Sequence, residues 1–284
     1  MSRSIDRPFR RLPAKAAVAL LAVIALMAMA IGAGQAHATM PSASKKPTIV
    51  LVHGAWANSA SWDGVIGRLQ SEGYSVDAPP NPLRSLKGDA ATIADFIKTI
   101  KGPVVLVGHS YGGAVITNAA RGLKNVKALV YVDAFAPEQG ESAFELTAKF
   151  PGSALTAAPP SKVFDAVPFP EGSKSDPLLY VRPSVFVKAF ANDLSAKQGS
   201  IAAANQAPAA MGAVTDPSGP PAWKTIPSWY VVGTVDRVIP PVTQMFMAER
   251  AHAQITKVHG GHLSMVSHPD AVAKVIAEAA HAAG

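Results

Sequence analysis

Two hydrophobic periods alternate along this chain. Thr48 to Val52 is a β-branched apolar run ending at His53-Gly54, the pattern of a strand buried on both faces of a parallel sheet. Trp62, Val65, Ile66 and Leu69 then recur at helical spacing, with Gly73 closing the helix. Tyr74 to Ala78 reads as a short second strand, stopped by Pro79-Pro80. Ile93, Phe96, Ile97 and Ile100 fall at i, i+3, i+4 and i+7 and predict an amphipathic helix that Gly102-Pro103 ends. Val104 to Val107 and Val126 to Val132 are two more strands, separated by a helix from about Gly113 to Arg121. Strand and helix in this rhythm predict an α/β fold, a parallel sheet with helices on both faces.

The rhythm stops between Pro137 and Ala222. These 86 residues hold 12 of the 24 prolines, which predicts an inserted cap, irregular or built from short helices. A disordered linker is disfavoured, because Phe144, Phe150, Phe164, Phe169, Tyr180, Phe186, Phe190 and the adjoining Trp223 need burial. Alternation resumes with the strand Trp229 to Val232, a helix from Pro241 to Ala251, the strand Ile255 to Val258 and a last helix after His268-Pro269. The expected organisation is a leader (1–38), a first core segment (39–136), the cap (137–222) and a second core segment (223–284).

Composition first points to an anionic partner: 26 Lys+Arg against 19 Asp+Glu give a net charge of +7, which suits nucleic acid or a membrane surface. The position of the charge changes that reading. Arg3, Arg7, Arg10, Arg11 and Lys15 precede a run of 16 apolar residues, Ala16 to Ile31, and Ala36-His37-Ala38 follows it. This is the form of an export signal cleaved after Ala38, since a spanning helix needs roughly 20 apolar residues. Arg10-Arg11 also admits the twin-arginine route beside the general secretory one. Removing residues 1–38 takes away five cations and one anion and leaves 246 residues with a charge of +3. A periplasmic or extracellular protein is therefore expected, with no nucleic-acid partner and no stable membrane association after cleavage. Zero Cys excludes disulfides, thiolate metal sites and a cysteine nucleophile.

Gly108-His109-Ser110-Tyr111-Gly112 sits between a predicted strand and a predicted helix, the setting in which a Gly-x-Ser-x-Gly turn exposes its serine as a nucleophile. Ser110 would stand at a helix N-terminus, where unpaired N–H groups favour developing negative charge. A serine needs a base within hydrogen-bond reach and an acid that orients the base. His262 is the favoured base, because Gly260-Gly261 before it lets the backbone carry an imidazole over the C-terminal edge of the sheet. His259 at the strand end and His268 before Pro269 read as structural, and the two histidines His259 and His262 lack a third metal ligand. Asp236 and Asp133 both follow strands; Asp236 is favoured as the orienting acid, and Asp133 stands as a substitute, pocket or supporting residue. Oxyanion donors are expected at the N–H of Tyr111 and of Ala55 in the loop after the first strand, with Trp56 lining the pocket and His53 and His109 supporting the site.

The His53-Gly54 loop, Gly108-x-Ser110-x-Gly112, Gly233-x-x-Asp236 and Gly261-His262, in this order, resemble the α/β-hydrolase superfamily, in its compact branch of small esterases and hydroxynitrile lyases. The resemblance implies about six mostly parallel strands, a triad of Ser110, Asp236 and His262, a cap over the site and no cofactor or metal. Ser110 stands where haloalkane dehalogenases carry an aspartate, and Leu263 where the similar lyases place a lysine. The expected activity is that of an exported carboxylesterase acting on a small-molecule ester. Cofactor-free lyase or perhydrolase chemistry with the same residues, or ligand binding without turnover, are the alternatives.

Overall fold

A computed structural model describes residues 46–169 and 176–284; the expected leader and cleavage site lie outside the described residues. Nine strands are formed among them: β1 (Thr48–Val52), β2 (Val76–Asp77), β3 (Val104–His109), β4 (Val126–Val132), β5 (Phe164–Val167), β6 (Leu178–Val181), β7 (Ala209–Ala210), β8 (Ser228–Gly233) and β9 (Gln254–Val258). The helices are α1 (Asp63–Ser71), α2 (Leu86–Lys98), α3 (Tyr111–Ala119), α4 (Ala143–Ala148), α5 (Pro160–Val163), α6 (Pro183–Ala189), α7 (Ala196–Ala204), α8 (Met211–Thr215), α9 (Pro241–Arg250), α10 (Ser264–Ser267) and α11 (Pro269–Ala282).

Six strands form a parallel sheet in the order β2-β1-β3-β4-β8-β9. Its centre is dry: every residue of β3 and β8 is buried, which is why these strands read as continuous apolar runs rather than alternating ones. Parallel neighbours need crossovers, and right-handed crossovers that reverse direction place their helices on opposite faces. The chain steps one way from β1 to β2 and the other way from β2 to β3, so α1 and α2 cover different faces. Accordingly α1 packs with α11, and α2 packs with α3. The amphipathic periods match these contacts: α2 buries Leu86, Ala90, Ile93 and Ile97, and α11 buries Val272, Val275, Ile276 and Ala279.

The reversal also positions the site. Connections leaving β1 and β3 diverge at the C-terminal edge, and such a divergence opens a crevice there. Val52 and Gly108 pair at that edge, bringing the loop after β1 against the turn after β3.

The cap departs from the sequence expectation. Besides short helices it carries a three-stranded antiparallel sheet, β5-β6-β7, with Phe164 paired to Val181 and Leu178 to Ala210. Its strands have four, four and two residues, too short for alternation to stand out among the prolines. Among the described residues, no helix is long and apolar enough to cross a membrane.

Candidate active site

Ser110 connects β3 to α3 with φ of +52°, a left-handed conformation unfavourable for a residue with a side chain. Packing imposes it. A Cβ on Gly108 would lie 2.5 Å from the Gly112 carbonyl oxygen, and one on Gly54 would lie 2.6 Å from Ser110 Cβ and 2.9 Å from the His109 carbonyl oxygen. Glycine at 108 therefore closes the turn, and Gly54 lets the loop after β1 rest directly on the nucleophile.

His262 Nε2 lies 2.9 Å from Ser110 Oγ, and Nδ1 lies 2.8 Å from Asp236 Oδ2. A carboxylate only accepts, so Nδ1 donates and Nε2 is left as the acceptor facing the serine hydroxyl. The side chains of His262 and Asp236 are fully buried. Asp236 Oδ1 accepts from the N–H of Val238 (2.7 Å) and Ile239 (3.1 Å), and Oδ2 also accepts from Gln244 Nε2 (2.7 Å). Burial raises the Asp236 carboxyl above its ordinary range, with the backbone donors pulling the other way. Burial also pushes the His262 imidazole down to about 3, keeping it neutral, as a general base must be.

The other sequence candidates divide by position. Ala55, Trp56, Ser110 and Tyr111 line one cavity of about 540 Å³. The Trp56 N–H donates to the Ala207 carbonyl and its indole N–H to the Leu179 carbonyl at 2.7 Å, tying the loop after β1 to the cap. No acceptor among the described residues engages the N–H of Ala55, or of Tyr111, the first residue of α3. His53 and His109 lie beneath the site rather than in its wall. His53 Nε2 accepts from Asn81 N–H, so Nδ1 donates to the Gly54 carbonyl; His109 Nε2 lies 2.8 Å from the His262 carbonyl, to which it donates. Burial lowers both imidazoles.

Asp133, expected as substitute acid, as pocket residue or as support behind the site, holds only the last of these positions. It is fully buried outside the cavity lining, and its Oδ2 accepts from the N–H and hydroxyl of Ser264 (3.2 and 2.5 Å). It tethers the start of α10, just after the base. His268 precedes α11 as expected, but its side chain makes no capping bond, and Nδ1 lies 2.8 Å from the Ser267 hydroxyl.

Among the described residues, no charged side chain lines the cavity. Apolar residues dominate it, among them Phe135, Phe144, Leu155, Phe164, Leu179 and Met211, and the hydroxyls of Thr147 and Thr215 are spent on the carbonyls of Ala143 and Met211. No three His, Asp or Glu among the described residues are arranged to hold a metal ion. Two contributors left no legible trace in the sequence. Gln244 is an ordinary helical residue until folding buries it against Asp236, and Asn192-Asp193 reads as a plain polar turn.

The comparisons with known proteins agree with this fold. Residues 49–275 match the sequence pattern of the alpha/beta hydrolase family. An alpha/beta hydrolase, nvfD, of Aspergillus novofumigatus is 28% identical over 256 residues, which is 83% of this chain and 97% of the relative. A carbendazim hydrolyzing esterase of Nocardioides sp. is 37% identical over 113 residues, 35% of this chain and 47% of that enzyme. The crystal structure of polyneuridine aldehyde esterase superposes with a TM-score of 0.69 at 20% identity, covering 82% of this chain and 99% of the other, a likeness of fold. With sheet order, strand-to-helix turn and family pattern in agreement over most of its length, this chain belongs to the alpha/beta hydrolase family.

Proposed function

We propose that this protein is a serine carboxylesterase acting on small to medium, uncharged esters. The observation that carries the reading is the continuous line of hydrogen bonds from Asp236 through His262 to Ser110, ending at a cavity whose described lining residues carry no charge. Ser110 Oγ attacks the ester carbonyl while its proton passes to His262 Nε2; Asp236 accepts from Nδ1 throughout and stabilises the imidazolium. The carbonyl oxygen becomes an oxyanion facing the N–H groups of Ala55 and Tyr111. Collapse of the tetrahedral adduct breaks the C–O bond, and the departing alcohol takes the proton from Nε2. Water then repeats the sequence on the acyl-serine, releasing the acid and restoring Ser110.

The cavity volume of about 540 Å³ falls in the range of roughly 300–1,000 Å³ that holds drug-sized ligands. Each added acyl methylene buried there is worth about 0.8 kcal/mol, so kcat/KM on p-nitrophenyl esters should climb about fourfold per carbon until the cavity is full. An ester bearing a free carboxylate should be a poor substrate, because no cation stands among the described residues of the lining. The similarity to a carbendazim hydrolyzing esterase supports an ester substrate. Ser110→Ala tests the mechanism: it should fold, fail to react with a fluorophosphonate and lose turnover of p-nitrophenyl butyrate, and retained turnover would refute the assignment.

Export belongs to the same proposal. Expressed with its leader, the protein should collect in the periplasm or medium with Thr39 as its first residue; an intact N-terminus on the accumulated protein would oppose this.

A further inference from the structure

Both loops that carry the base and the acid are bonded to one stretch of the cap. After α6 the chain passes through Phe190, Ala191, Asn192 and Asp193 before α7 begins. Asp193 Oδ2 accepts from the N–H of Gly261, the residue before His262, at 2.7 Å. Asn192 Nδ2 donates to the carbonyl of Val235, the residue before Asp236, at 2.9 Å. Phe190 stands edge-on to the His262 ring, with centroids 5.1 Å apart and planes at 82°, and is stacked on Phe186 behind it.

The fit leaves no slack. A Cβ on Gly261 would lie 2.6 Å from Asp193 Oδ1, so Gly261 brings the base loop flush against the carboxylate. Side-chain exposure of Asp193 is 12%, and its Oδ1 is buried without a partner. The nearest cationic candidate, His268 Nδ1, is 4.0 Å from Oδ2. Ring-on-ring contact with Phe190 limits rotation of the imidazole, and the two polar bonds fix the height of each loop, so His262 Nε2 is aimed at Ser110 Oγ by cap and core together. The negative charge of Asp193 also favours the protonated imidazole, against the larger effect of burial.

We infer that Asn192 and Asp193 are positioning residues of the catalytic machinery, a two-point latch by which the cap sets the His262 and Asp236 loops in register with Ser110. The inference rests on the serine-hydrolase reading. Neither residue lines the cavity, so the latch acts on the chemical step and not on substrate binding.

The test is steady-state kinetics with p-nitrophenyl butyrate on Asp193→Ala, Asp193→Asn and Asn192→Ala, alongside Ser110→Ala. Misplacement of a catalytic group by about 1 Å can cost 10²-fold, so Asp193→Ala should lose about 10- to 100-fold in kcat with KM within about twofold of wild type. Asp193→Asn keeps an acceptor for the Gly261 N–H and should recover to within about threefold. Asn192→Ala should fall in the same direction as Asp193→Ala and serves if that variant does not fold. Fluorophosphonate labelling separates geometry from unfolding: folded latch variants should still reach one label per chain, but more slowly. Wild-type kcat in Asp193→Ala, a loss confined to KM, or an Asp193→Asn as impaired as Asp193→Ala would each overturn the latch. Turnover surviving in Ser110→Ala would instead overturn the serine-hydrolase reading beneath it.

Discussion

Asp236→Asn isolates the role of the buried acid, because the structure decides how the new amide must sit. The carboxylate accepts at both oxygens: Oδ1 from two backbone N–H groups, Val238 and Ile239, and Oδ2 from Gln244 Nε2 and His262 Nδ1. An asparagine has one oxygen and one NH₂. If the NH₂ took the Oδ1 place, it would face two backbone donors that cannot turn away, each unsatisfied group costing about 1–3 kcal/mol. At the Oδ2 place it meets His262, which can change tautomer, and Gln244 Nε2, which the Ile239 carbonyl and the Gly233 N–H hold in its present orientation, so one donor rather than two loses its acceptor. The second arrangement wins by about 1–3 kcal/mol on that count. It forces His262 to accept at Nδ1 and to carry its proton on Nε2, opposite Ser110, where no base remains. The corresponding substitution in a serine protease lowers kcat by about 10⁴, equivalent to about 5.5 kcal/mol of transition-state stabilisation. A loss of that order in kcat on p-nitrophenyl butyrate is expected here, with an unchanged KM and a thermal midpoint within a few degrees of wild type. A folded Asp236→Asn within about tenfold of wild-type kcat would refute the tautomer argument and reopen the choice of acid.

Asp133→Asn should remain within about tenfold of wild-type kcat, since its carbonyl oxygen can still accept both bonds from Ser264 and it makes no bond to His262; a loss as deep as that of Asp236→Asn would exchange their roles. Gly54→Ala should cost about 10²–10³ in kcat, the worth of an oxyanion donor, because its Cβ would collide with Ser110 Cβ and the His109 carbonyl and displace the Ala55 N–H; wild-type kcat with an intact circular dichroism spectrum would exclude this. Burial lowers the imidazole of His109, so the unfolded chain binds a proton below its ordinary value of about 6.5 that the folded chain refuses, and stability falls with pH from there at up to about 1.4 kcal/mol per unit. His109→Gln keeps a donor for the His262 carbonyl but lacks this proton, so its stability deficit against wild type should shrink by up to about 2 kcal/mol between pH 7 and pH 5. The buried carboxylates are common to both proteins and cancel in that difference; urea midpoints that stay the same distance apart would contradict the reading of His109.

Most of the sheet was legible because its strands are buried on both faces, so Val104 to Val107 and Val126 to Val132 appear as unbroken apolar runs between Gly and Pro punctuation. Ser110 was legible through the glycines two residues to either side, although only Gly108 is required by the turn itself; Gly112 is required by the Val52 carbonyl of β1, with which its Cβ would collide. Asp133 shows where local reasoning stops. It follows a strand as Asp236 does, and only the lateral order β4-β8-β9 and the path of the loop after β9 put Asp236 beside His262 and Asp133 beside Ser264. The cap sheet escaped notice because its strands are short and interrupted by proline.

Periodicity and turn chemistry, which act over a few residues, therefore determined from sequence alone the α/β class, the six core strands, the nucleophile turn and the histidine loop. The sequence favoured Asp236 over Asp133, but tertiary structure alone set Asp236 against His262, put Gln244 on that carboxylate, and joined Asn192 and Asp193 of the cap to both loops. Those contacts join residues 8 to 68 positions apart. Pairings of that kind are set by how layers stack and loops meet at the sheet edge, and short-range patterns along the chain carry no signal for them.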